Sequence, residues 1–399
     1  MTPSSSRTHW PAVLAAAFCG IAVAINVGKV PIAMASLRTE FGLSLVAAGW
    51  VSSMINTLAV STAILFGLLG DRVGALRLCL GGLAVSLAGG VLGLLAGGEQ
   101  DLLASRLLEG AGVVAVAVSA PALLTSATLP GDRRFALGIW SGYLPAGVGL
   151  VMLLAPALLP LGGWRVLWGF ALLALAAAAI GILRCRPSYE LPPAANETGQ
   201  SRWQIARQAL ARPGPWVLAA AMGCWTVQHY ALIIWLPTFL KEQRDLGLLA
   251  VSLLSCLMVL VNVPGNLLGG HLLQRGWPRS TLIAMANVAT GLSALGIFLD
   301  GLPDALRYLL CLTLSFSGGL IPASVLSASA QLATSPRQIG TLQGLFMQVG
   351  NLGPFLGPPA IAALVAASGA WSQALWVVGG AAAGGLALAL TLRRWEASH

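Results

Sequence analysis

GLLGDRVGALR, Gly67 to Arg77, lies between two long apolar runs. A weaker copy, GGHLLQRGWPR, occupies Gly269 to Arg279. Arg72 and Arg275 stand 203 positions apart, about half the chain. Within a few residues, the same offset relates APALLTSA from Ala120 to IPASVLSA from Ile321, matching Pro121 with Pro322. It also relates Gly138-x-x-x-Gly142 to Gly340-x-x-x-Gly344. A half-chain repeat in an apolar sequence is the plan on which many secondary transporters are built.

Of the 399 residues, 57% are hydrophobic and only 9% charged, against about 25% charged in an average soluble domain. Short charged segments separate apolar stretches, each long enough to cross a hydrocarbon core of ~30 Å. In lipid the backbone must satisfy its own hydrogen bonds, which selects helices. No ten-residue alternation argues for a barrel. Spans are expected at 11–36, 44–69, 78–97, 102–127, 135–160 and 164–184, then at 214–240, 246–270, 280–299, 305–331, 339–366 and 371–391. Between the halves, RPSYELPPAANETGQSRWQIARQALARPG reads as a polar linker with one short amphipathic helix. The expected fold is all-α: twelve transmembrane helices in two six-helix pseudo-repeats. An N-terminal bundle spans 1–184, a cytoplasmic linker 185–213 and a C-terminal bundle 214–399.

The polar start MTPSSSRTHW could open a signal peptide, but the apolar run continues to Ser36 without a cleavage site, so it is read as a retained first span. The six cysteines show neither metal spacing nor a disulfide framework and read as packing residues. The net charge of +9 reflects positive-inside bias rather than nucleic-acid binding. With the N-terminus inside, the cytoplasmic segments hold 15 of the 22 basic residues and the outer segments five. Lys29 and Arg106 fall within spans. Both termini are therefore expected in the cytoplasm, with the chain in a bacterial inner membrane.

The Gly67–Arg77 stretch resembles the signature loop of the major facilitator superfamily, with Gly67, Asp71, Arg72, Gly74 and Arg77 at the family positions. Arg106-Leu-Leu-Glu-Gly110-Ala-Gly112 resembles that family's second motif. The resemblance covers nearly the whole chain and implies the major facilitator fold, with spans one, four, seven and ten lining a central cavity. Val30-Pro31 and Tyr230-Ala-Leu-Ile-Ile-Trp-Leu-Pro-Thr are similar to the cyanate and nitroimidazole permease group, which usually carries Arg where this chain has Lys29. In physical terms, Asp71 at a helix end can cap a neighbouring helix N-terminus. Arg72 and Arg77 can reach carboxylates or lipid phosphates. The five loop residues are thus expected to form a conformational latch; ordinary positive-inside charges are the alternative.

A charge near mid-membrane costs at least ~2.5–3.5 kcal/mol and needs a partner or an aqueous cavity. The ionisable groups within spans are Lys29, Arg106, Glu109 and His229. Lys29, with Asn26 one turn back, reads as an anchor for an anionic substrate or as a snorkelling lysine. Glu109 follows Arg106 by three residues on one helix face, so the two read as a proton-coupling site or as a structural pair. Trp225, Gln228 and His229 share a face, with Tyr230 adjacent, and suit a small planar ligand; packing is the alternative for His229. Trp140 and Tyr143 in span five, Gln343, Gln348 and Asn351 in span eleven, Ser53 and Asn56 in span two, and Asn262 and Asn266 in span eight complete the site or act as interhelical glue. Prolines and glycines in spans five and eleven suggest moving interfaces.

No phosphate-binding GxxxxGK[ST] loop points to a primary pump, and no cofactor is called for. The expected function is a secondary active transporter, not an enzyme. It would move a small anionic or polar organic solute by alternating access with proton coupling, as a monomer in contact with membrane lipids. Proton-driven drug or metabolite efflux is the transport alternative, and a transporter-like membrane sensor the non-transport one.

Overall fold

The computed structural model describes residues 7–189, 202–298, 301–334 and 336–397. Beyond their backbone, Gly67 and Asp71 fall outside the described residues, as do residues 190–201 of the polar linker. Among the described residues, twelve helices are long and apolar enough to cross a membrane. Spans one to six are Trp10–Phe41, Leu45–Ala63, Ala75–Leu94, Glu99–Ser126, Tyr143–Gly162 and Trp164–Arg184. Spans seven to twelve are Pro213–Glu242, Leu248–Gln274, Arg279–Phe298, Asp304–Leu326, Gln338–Ser368 and Trp371–Glu396.

Local chemistry sets where these helices start, stop and break. Span one opens with Pro11 in its first turn, where the His9 ring accepts the Ala12 N–H. It closes at Gly42, whose φ of 63° is left-handed. The Ser44 hydroxyl then caps span two. The helix Arg133–Ser141 breaks from span five at Gly142, and spans eight and eleven break at Val261 and Asn351, each break three residues before a proline. A proline removes one N–H and frees the carbonyl four residues earlier. At Pro354 that carbonyl is Gly350, and the Thr226 hydroxyl of span seven takes it at 2.6 Å. The break is thus satisfied by a neighbouring helix, as lipid demands.

Glycines let the bundles close. A Cβ on Gly110 in span four would lie 2.2 Å from the Ile55 carbonyl of span two. In the second half, a Cβ on Gly265 in span eight would lie 1.9 Å from the Phe316 carbonyl of span ten. The two crossings are repeat-related, so the sequence duplication is also a duplication of packing.

The first six and last six spans meet tightly at the end of the molecule opposite the described chain ends, here called the distal end. Gly49 of span two lies against the Pro359 backbone of span eleven, where an added Cβ would sit at 3.0 Å. Trp50 meets Phe355 edge-on at 5.7 Å. Cys256 of span eight contacts the Gly149 carbonyl of span five at 3.4 Å. An Arg38–Glu242 ion pair bridges the ends of spans one and seven on the rim.

Near the described chain ends, Tyr189 ties the segment after span six to span one by donating to the Ala12 carbonyl at 2.7 Å. Burial pushes its phenol up, so it stays a neutral donor through the physiological range. Tyr189→Phe is expected to lower stability by about 1 kcal/mol, read as a small drop in thermal unfolding temperature.

Candidate functional site

Two polar networks lie inside the bundles, one in each half. In the first, Lys29 of span one reaches the Glu109 carboxylate at 2.5 Å and the Asn26 side-chain oxygen at 2.7 Å. Arg106 pairs with the other Glu109 oxygen. It also donates to the Asn26 carbonyl at 2.8 Å and the Val51 carbonyl of span two at 3.2 Å. All three charged side chains are 0% exposed. The Lys29 ammonium sits 4.3 Å from the centroid of the Trp168 ring of span six, within cation–π range. Gly90 of span three leaves room beside Glu109: a Cβ there would stand 3.6 Å from Oε1.

The second network surrounds His229. Trp225 stacks on its ring at 4.6 Å, and Tyr230 meets it edge-on at 6.4 Å. His229 Nε2 lies 3.1 Å from the Ser315 hydroxyl of span ten. That hydroxyl donates to the Met258 carbonyl at 2.6 Å, so it accepts from His229, fixing the Nε2–H tautomer. Asn262 donates to the Ser315 carbonyl at 2.7 Å, and Asn266 to the Asn262 side chain at 2.8 Å. A Cβ on Gly318 would fall 1.7 Å from the Trp225 ring, so span ten forms a close wall against the indole.

Asn26 and His229 stand 203 positions apart, the offset of the repeat. Each occupies the matching place in its half and is bonded to span four or span ten. The first copy carries ions at this crossing and the second neutral dipoles.

Several residues singled out from sequence come together and others do not. Lys29, Asn26, Arg106 and Glu109 form one cluster. It lies inside the first half, and its hydrogen bonds and ion pairs among the described residues do not reach His229 or Tyr230. Gln228 leaves the face of His229 and meets Asn287 of span nine at 3.3 Å. Tyr143 is half-buried and stacks with Trp140 at 4.3 Å against Gly20 of span one. Asn56 turns back to the Ser53 carbonyl at 3.2 Å and Asn351 to the Met347 carbonyl at 2.7 Å. Gln343 bonds the Ser329 hydroxyl at 2.8 Å, while Gln348 Oε1 is buried without a hydrogen-bond partner. In the loop, Arg72 and Arg77 are exposed, and Gly74 takes a left-handed φ of 88° that lets span three begin at Ala75.

Sequence reasoning missed Trp168, Ser315 and Asn287. Trp168 sits in a span whose lack of polar residues reads as lipid-facing, although its ring is fully buried.

His229→Phe keeps a ring to stack on Trp225 but leaves the Ser315 hydroxyl without its nitrogen partner. A stability loss of about 1–3 kcal/mol is expected, checked by thermal unfolding of purified protein.

Twelve apolar helices in repeated halves, with polar groups held at their crossings, define a membrane carrier. The family model of the Major Facilitator Superfamily matches residues 16–358, and the chain belongs to that superfamily. It is a multi-pass integral membrane protein and a secondary transporter of the family, not an enzyme. A Bacillus subtilis chain, NiaP, named for niacin/nicotinamide transport, is 24% identical over 352 residues, 86% of this chain and 85% of that one. The 3-(3-hydroxy-phenyl)propionate transporter of Escherichia coli is 25% identical over 370 residues, covering 90% and 87%. A solved bacterial homologue of the human lysosomal transporter Spinster superposes with a TM-score of 0.74 at 17% identity, covering 98% and 95%. The chain therefore has the major facilitator fold.

Proposed function

We propose that the protein carries a small aromatic or polar organic monoanion across a bacterial inner membrane by alternating access, coupled to protons. The observation that carries this reading is the buried cluster of two cations and one carboxylate in the first half. Buried ionisable groups in spans mark substrate or proton pathways. The rings of Trp225, His229 and Tyr230 in span seven, with Tyr143 of span five, support an aromatic body for the solute. Niacin, nicotinamide and 3-(3-hydroxyphenyl)propionate, the solutes named for the two relatives, each carry an aromatic ring, and niacin and 3-(3-hydroxyphenyl)propionate also carry one carboxylate.

In this reading Lys29 and Asn26 supply the positive field that favours the anion. Asn56, Gln228, Gln348 and Asn351 are polar groups around the path, and Arg106 with Glu109 takes part in proton coupling. Gly67, Asp71, Arg72, Gly74 and Arg77 form the latch at the near end. The halves 1–184 and 214–399 rock about the site while residues 185–213 join them. Basic-residue bias supports cytoplasmic termini, which makes distal closure the inward-facing arrangement. The protein acts as a monomer. Val30-Pro31 and Tyr230–Thr238 support a place near the cyanate and nitroimidazole permease group, which adding cyanate to the solute panel tests.

The test is counterflow: proteoliposomes preloaded with unlabelled nicotinate or 3-(3-hydroxyphenyl)propionate should take up the labelled solute, and empty ones should not. Equal labelling of protein-free liposomes for every solute would remove the proposal.

A further inference from the structure

Lys29, Arg106 and Glu109 put two cations and one carboxylate in a single buried cluster, and charge arithmetic decides which group exchanges a proton. The proposed proton-coupled transport is the premise, and the cluster deepens it. Fully charged, the cluster carries a net charge of +1 in surroundings where unbalanced charge is costly. The Arg106 guanidinium does not release its proton in proteins. Protonating Glu109 would raise the cluster to +2. Deprotonating Lys29 brings it to zero. The only proton exchange that removes net buried charge is therefore loss from Lys29.

Geometry agrees. A neutral Lys29 amine keeps two N–H groups, enough for its two partners, Asn26 Oδ1 and Glu109 Oε1. The Trp168 ring facing it favours the charged form, so both forms have support. The other elements around the cluster bring no charge to it. Span two contributes the Val51 carbonyl, span three Gly90, span five Val148 and Val151 beside Gly28, and span six the Trp168 indole. Among the described residues, no other ionisable side chain is in contact with Lys29. Two further buried donors, Arg106 Nη2 and Asn26 Nδ2, have no hydrogen-bond partner in the protein. The charged cluster thus favours an approaching acceptor.

We infer that the coupling proton is carried by the Lys29 amine, while Glu109 remains the fixed negative charge between two cations. In the step itself, one Nζ–H bond of the ammonium breaks, its electron pair stays on nitrogen, and the proton passes to water. An anion binds to the +1 state, so proton and monoanion cross together and the pair moves no net charge. This differs from the expectation that Glu109 takes up the proton.

The test has two arms on the full-length protein. In the first, infrared pH-difference spectra are recorded on purified protein labelled with 13C-glutamate, from about pH 5 to about pH 9. No buried glutamic carboxyl band should titrate, and Lys29→Arg should release one proton fewer than wild type over this range. Lys29→Gln, which adds no bulk, is the second variant and should show the same loss. A titrating buried glutamic carboxyl band, or an unchanged proton count in both variants, overturns the inference.

In the second arm, proteoliposomes are given labelled nicotinate and a gradient of one pH unit. One proton per monoanion accumulates solute about tenfold, and a potassium diffusion potential changes this by less than about twofold. In Lys29→Arg the accumulation ratio falls to about one, and whatever exchange remains is flat in pH. Gradient-driven accumulation by Lys29→Arg sinks the inference and leaves the proposed transport standing. If wild type moves no solute, the proposed transport fails, and the infrared arm still decides between Lys29 and Glu109.

Discussion

Glu109→Gln is expected to destabilise the protein by about 3–5 kcal/mol, the usual cost of removing one partner from a buried ion pair. Glu109 accepts from both Lys29 and Arg106, and all three side chains are sealed from solvent. An amide cannot balance either cation, so Arg106 would be left charged beside a neutral carbonyl. Its remaining acceptors are the Asn26 and Val51 carbonyls, and these offer partial charge only. Glu109→Asp keeps the charge and should fall between wild type and Gln. Thermal unfolding of the purified proteins reads the order. A Glu109→Gln protein as stable as wild type would show that the cluster is not held by this carboxylate.

The second large effect is conformational. Gly49 touches the Pro359 backbone where spans two and eleven close the distal end, and even a Cβ would stand at 3.0 Å. Backbone cannot swing aside as a side-chain tip can, so Gly49→Leu has to separate the two spans. The overpacking cost of about 1–3 kcal/mol falls on the distal-closed state alone, because the spans part when that end opens. The expected result is a shift of about 5- to 150-fold toward the distal-open state, with more than tenfold slower counterflow. Cysteine labelling from the distal side reads the first effect, and nicotinate counterflow the second. Unchanged labelling would mean that this contact is not part of the moving interface.

The spans were legible because hydropathy is carried by each residue separately. The expected limits 164–184 match the helix Trp164–Arg184, and 214–240 lies within Pro213–Glu242. The prolines singled out in spans five and eleven stand three residues after two of the breaks, since a missing N–H acts within one turn, whereas the break before Pro264 in span eight was not read from the sequence. Arg106 and Glu109 could be paired from spacing alone. That Lys29 joins them could not, because the meeting depends on how spans one and four cross, with Lys29 and Glu109 80 positions apart. Gln228 and His229 show the limit of face arguments. They are adjacent in sequence, yet one reaches Asn287 of span nine and the other Ser315 of span ten. A helix buried on most sides offers several faces at once. Trp168 escaped notice because an indole gives no polar signal in a hydropathy reading, although its ring face supports the buried ammonium.

The repeat also ties fold to chemistry. Offset by 203 positions, Asn26 and His229 sit at matching crossings. The duplicated architecture has thus been filled with ions in one copy and neutral hydrogen-bonding groups in the other.

Alternating access requires the two ends of the molecule to open in turn, and the distance across each end reads this out. Spin labels placed on spans one and seven at the distal end, and on spans four and ten at the opposite end, can be measured by electron double resonance in lipid nanodiscs. With nicotinate added, two populations are expected to exchange in opposite senses: distal distances lengthen as those at the other end shorten. A single distance at each end, unmoved by nicotinate, 3-(3-hydroxyphenyl)propionate or a change of pH, would contradict it.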